Sequence, residues 1–71
     1  MVDFKALKQA ISDSGYKFED IASAIGLSRQ GLYQRFRNEV EFTASEITTL
    51  CELLRLSAAD KERIFFAPKV E

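Results

Sequence analysis

Histidine is absent from these 71 residues, and cysteine occurs once. A single thiol forms no disulfide within the chain, so no covalent staple supports the fold. Without histidine or further thiols, Cys51 lacks the companions of a metal site and the base that would make it a nucleophile. A surplus of positive charge is also missing: ten lysines and arginines face eleven acids, for a formal net charge of −1. Small nucleic-acid binders are usually basic, because phosphate neutralisation supplies much of their affinity. Any such reading must therefore rest on where the charges lie. No apolar run approaches the roughly 20 residues of a membrane span, and no secretory leader is visible. Neither a glycine-rich phosphate loop nor a paired nucleophile and base can be found. The chain is expected not to be an enzyme, to need no cofactor or metal, to avoid membranes and to be cytoplasmic.

What is present is helical periodicity. Seventy-one residues allow one domain with a modest core. Residues 3–14 read as a first helix, with Phe4, Leu7, Ala10 and Ile11 on one face. Lys5 and Lys8 fall outside that face and are expected to be solvated. Gly15 should close the helix in a left-handed conformation. A second helix is expected from Phe18 to about Ile25, with Ile21 and Ile25 inward and Ala22 allowing close approach. Gly26 stands at an elbow, Leu27 follows as an apolar plug, and Ser28 is a good N-cap for a third helix over 29–37. In that helix Arg29, Gln30, Tyr33, Gln34 and Arg37 share one side, while Leu32 and Phe36 share the other. Residues 27–38 hold three arginines and no acid. From Glu39 to Glu62 the balance reverses: six acids face only Arg55 and Lys61.

The stretch Phe18–Asn38, FEDIASAIGLSRQGLYQRFRN, resembles the helix-turn-helix of the lambdoid phage repressor and Cro family. The matching positions are Ile21-Ala22, Ile25-Gly26-Leu27-Ser28 and Leu32, with Phe36 closing the second helix of the motif. The match is strong over about twenty residues and weaker over the helices around them. It implies an all-α bundle of about five short helices, residues 1–67, followed by a short tail, 68–71. It also implies that Arg29, Gln30 and Gln34 stand at base-reading positions, and that Ser28 and Arg37 stand where backbone contacts are usual. The chemistry agrees: arginine can read guanine, and glutamine adenine, by paired hydrogen bonds in the major groove. Tyr33 could meet a phosphate or a thymine methyl, or simply pack on the surface. Gly31 weakens a helix by roughly 1 kcal/mol against alanine, so close approach of its backbone to DNA or to the preceding helix is expected. One departure stands out. Where the family often has a phosphate-binding glutamine, this chain has Lys17-Phe18-Glu19-Asp20, and that contact does not carry over.

The fourth helix is announced by Thr43-Ala44-Ser45-Glu46, a capping box, with Phe42 and Ile47 placed as a hydrophobic staple. Ile47, Leu50, Cys51 and Leu54 then form its inward stripe, which makes Cys51 a core residue. Ser57 and Asp60 repeat the capping signal for a fifth helix running to about Phe66. Neighbouring residues diverge by about 100° on a helix, so Ile64, Phe65 and Phe66 cannot all turn inward. Phe65 or Phe66, helped by Arg55, Leu56 or Val70, is expected to build a homodimer contact. The alternative is that both rings pack against the first helix.

Two functions follow. One is a transcriptional regulator that binds double-stranded DNA as a dimer. The other is a modulator or antirepressor that uses the same fold to grip another phage repressor. Glu19, Asp20, Glu39 and Glu41, close to the expected DNA surface, favour the second.

Overall fold

The computed structural model describes residues 2–66; the expected tail 68–71 and Val70 lie outside them. Five α-helices make up the fold, with no strand among the described residues: α1 (Phe4–Ser14), α2 (Phe18–Ala24), α3 (Arg29–Phe36), α4 (Ala44–Leu53) and α5 (Ala58–Phe65).

Side chains cap most helix starts as the sequence requires. Ser28 Oγ accepts from the Gly31 N–H at 3.0 Å, and Ser57 Oγ accepts from the Asp60 N–H at 3.1 Å. Thr43 and Glu46 close the full reciprocal box, each backbone N–H meeting the other's side-chain oxygen at 3.1 Å. Asp3 is an additional cap, accepting from the Ala6 N–H. Its own N–H donates to the Ile64 carbonyl at 2.6 Å, which ties the start of α1 to the end of α5.

Three of the helix ends share one device. After α2, Gly26 turns left-handed at φ +78. The Leu27 N–H then reaches back to the Ala22 carbonyl and the Gly26 N–H to that of Ser23. This pair of bonds satisfies carbonyls that a helix end leaves free. The same pattern recurs after α3 at Asn38 (φ +61) and after α4 at Arg55 (φ +54). Asparagine tolerates this region, but arginine does not favour it, because its β-carbon crowds the following carbonyl. Arg55→Gly is therefore expected to stabilise the fold by about 0.5–1 kcal/mol. Thermal unfolding checks it, as a rise in midpoint of a few degrees; an unchanged or lower midpoint refutes it.

Every helix contributes to one core: Leu7 and Ile11, Ile21 and Ala22, Leu32, Leu50, and Ile64 with Phe65. The helix α2 packs on α3 and α4, and α1 packs on α5. Phe4, Ile25, Ile47, Cys51 and Leu54 sit half-buried at the core's edge. A chain this small has too little interior to enclose a second layer.

Aromatic rings run through the molecule in a row. Phe18 lies 5.2 Å from Phe36, Phe36 is edge-on to Phe42 at 6.3 Å, and Phe42 is edge-on to Phe65 at 5.8 Å. Phe4 joins the row at Phe36. This corrects the expectation that Phe65 could form an interface: it is 3% exposed and belongs to the core. Ile64 and Phe65 both bury because the end of α5 is flanked on two sides, by the start of α1 and by Phe42. Phe66 is 52% exposed and joins no ring pair among the described residues.

Candidate nucleic-acid interface

The tight turn at Gly26 delivers the chain directly into α3, and the Ser28 cap fixes where that helix starts. At about 100° per residue, Arg29, Tyr33, Arg37, Gln30 and Gln34 fall within an arc of roughly 140°. Arg29, Gln30, Tyr33 and Arg37 are exposed and Gln34 is half-exposed. Leu32, on the opposite side, is fully buried, and Phe36 is held between Phe18 and Phe42. The sequence-predicted surface is thus one continuous strip, with one arginine at the first turn and another at the C-cap.

Tyr33 is exposed but leans on two neighbours. Its ring lies on Phe18, with centroids 4.4 Å apart, and the Arg29 guanidinium sits over the same ring at 5.7 Å. An exposed cation–π contact is worth about 0.5–1 kcal/mol. That is enough to bias Arg29 toward one orientation without fixing it. The neighbouring Tyr33, and after it Glu19, raise the Arg29 pKa above its usual value, and a guanidinium is a cation at any working pH. Ser28 uses its oxygen as the cap acceptor, and its hydroxyl proton remains available to a phosphate oxygen.

Gly31 has its explanation inside the chain. A β-carbon there would lie 3.2 Å from Ser28 Oγ and 3.7 Å from Leu27 Cβ. Glycine keeps room for the cap and for the turn; its close neighbours are Leu27, Ser28 and Arg35, none of them in the preceding helix α2.

The three arginines of this region have different roles. Arg37 Nε donates to Glu39, and both side chains are more than half exposed. A pair in that setting contributes at most about 1 kcal/mol, so Arg37 can leave Glu39 for a phosphate at small cost. Arg35 points away from the strip. Its Nε and Nη2 donate to the two Glu46 carboxylate oxygens, each at 3.1 Å, and its Nη1 donates to the Gly31 carbonyl at 3.0 Å. The side chains of Arg35 and Glu46 are only 13% and 12% exposed. Sequence reasoning had counted Arg35 only as local positive charge. The one available signal was its place on the wheel, between the buried and the exposed sides.

Burial pushes the Glu46 carboxyl up, but the hydrogen bonds from Arg35 and Thr43 and the Arg35 charge outweigh it, leaving Glu46 below its usual range. Partial burial raises the Cys51 thiol, which lies at the core's edge and not inside it. Among the described residues, no group of three histidine, cysteine or carboxylate side chains gathers as a metal site would require. No helix among them is long and apolar enough to cross a membrane.

Comparison with family models, curated proteins and solved structures finds no match to this chain. The functional argument therefore stands on the α2–turn–α3 unit and the strip along α3.

Proposed function

We propose that this protein binds double-stranded DNA by laying α3 in the major groove, as a sequence-specific transcriptional regulator of the phage repressor and Cro type. The observation that carries the proposal is the exposed strip Arg29, Gln30, Gln34 and Arg37 on a helix that begins at a tight turn and is backed by Leu32 and Phe36. A capped helix with arginine and glutamine at its start presents two-pronged donors where base edges lie. Arg29 and Gln30 read bases in this arrangement, Gln34 reads a base one turn further on, and Ser28 and Arg37 hold the phosphate backbone.

The test is titration of a generic duplex at low salt. Binding is expected, and log K should fall with log salt by about 0.9 for each phosphate contacted. Silence at low salt would reject the proposal.

One feature favours the second reading, a protein-binding modulator or antirepressor. Acids surround the strip: Glu19 and Asp20 in the first turn of α2, and Glu39 and Glu41 after α3. Glu39 already holds Arg37. Such carboxylates suit the basic DNA-reading face of a repressor. A protein that ignores DNA but shifts a repressor off its duplex would establish this reading in place of the first.

A further inference from the structure

Arg55 and Leu56, expected from sequence to assist Phe66, line a different groove from the one beside that ring. It has a volume of about 560 Å³ and lies between α1, the α4–α5 turn and α5. The recess exists because α1 carries alanine at two positions four apart on one face, Ala6 and Ala10, where a longer side chain would fill it. With Leu54 and Leu56 these alanines give the groove a half-buried apolar floor. Its rim is charged. Asp3, Asp13 and Asp60 stand against Lys5, Arg55 and Arg63, so the rim is neutral in sum. The two signs differ in what already holds them. Asp3 accepts from the Ala6 N–H, Asp13 from the Gln9 amide and Asp60 from the Arg63 guanidinium. Lys5 and Arg55 are exposed and form no ion pair among the described residues.

Arg55 also occupies a backbone position that works against it. Of the left-handed residues after α2, α3 and α4, Gly26 and Asn38 suit that conformation and Arg55 does not. Backbone strain of this kind points to a use for the side chain. We propose that this groove binds a small organic carboxylate with an apolar body. The carboxylate takes two N–H groups of Arg55, Lys5 supplies a second cation on the rim, and the body covers Ala6, Ala10 and Leu56. A guanidinium meets a carboxylate by two parallel hydrogen bonds. The volume falls in the range of small-molecule sites, about 300–1,000 Å³. The three rim carboxylates repel a polyanion such as nucleic acid, whereas a monoanion finds two uncommitted cations. No lining residue belongs to α2 or α3, so the proposal does not depend on the DNA reading.

Amide chemical shifts of the full chain, titrated with octanoate or with naphthaleneacetate, test it. Both carboxylates are expected to move resonances within residues 5–14 and 54–63. Octanamide and naphthaleneacetamide, the same bodies without the charge, should bind about tenfold more weakly or worse. Arg55→Gln removes the charge and keeps the left-handed strain; Arg55→Gly removes both. Each should raise the dissociation constant for the carboxylates by about tenfold or more, although Arg55→Gly stabilises the fold. Affinity and stability moving in opposite directions separates a ligand contact from a structural role. Failure of both carboxylates to bind at about 10 mM would overturn the proposal. So would equal binding of acids and amides, shifts centred on the groove beside Phe66, or undiminished binding by folded Arg55→Gln.

Discussion

Arg35→Ala is expected to lower stability by about 2–3 kcal/mol. A fully buried pair that loses one partner costs more, but Arg35 and Glu46 each still touch water. The loss has two parts. Glu46 keeps its charge while losing both guanidinium hydrogen bonds, and the Gly31 carbonyl loses the bond from Nη1. Glu46→Ala should cost at least as much, because Glu46 Oε1 also receives the Thr43 N–H of the capping box. Glu46→Gln keeps an acceptor for that N–H and should fall between alanine and wild type. Urea unfolding checks all three; single variants within 0.5 kcal/mol of wild type would show that the clamp contributes nothing. The pair also makes a pH prediction. The folded pKa of Glu46 is depressed, so its contribution is complete above the ordinary value of 4.5. It is lost as pH falls below that value and through the lowered folded one. Arg35→Ala should therefore flatten the acid limb of the stability curve as well as lower its plateau.

How far the sequence carried the reading follows the range of each interaction. Gly26, Ser28, Thr43 with Glu46, and Ser57 act over three to five residues, and each was legible because its partner lies in the same short stretch. The strip on α3 was legible for the same reason, since helical spacing alone arranges it. The Arg35–Glu46 clamp joins residues eleven apart across a loop, and nothing local marks it. Asp3 is similar: its cap is local, but the bond from its N–H to Ile64 depends on how the chain ends meet. Which of Phe65 and Phe66 turns inward was not legible, because periodicity assumes one buried face per helix. A short helix end wedged between two neighbours has two, and Ile64 and Phe65 each fill one. Arg37 shows the opposite limit. Its neighbour Glu39 is visible in sequence, yet only the turn at Asn38 brings that carboxylate back onto the guanidinium.

If the protein binds DNA as proposed, the remaining large effect is on recognition. Arg29→Ala is expected to weaken binding to the preferred duplex by about 1–3 kcal/mol, and to relax the choice of base at one position per half-site. Arg37→Ala should weaken preferred and random duplexes alike and reduce the salt slope by about one ion. The difference follows from geometry: Arg29 lies at the start of α3, steadied over the Tyr33 ring, whereas Arg37 caps its far end beside Glu39. Glu39→Gln gives the converse control. Removing that carboxylate frees Arg37 and lowers the local repulsion of phosphate, so affinity should rise for every sequence by less than about 1 kcal/mol. Selection of duplexes from a random pool supplies the preferred site, and titrations of each variant at several salt concentrations supply the slopes. If Arg29→Ala and Arg37→Ala both left affinity, base preference and salt slope unaltered, α3 would not be the surface that meets DNA. If instead Arg29→Ala lowered all sequences equally, Arg29 would be a phosphate contact, and reading would fall to Gln30 and Gln34 on the same strip.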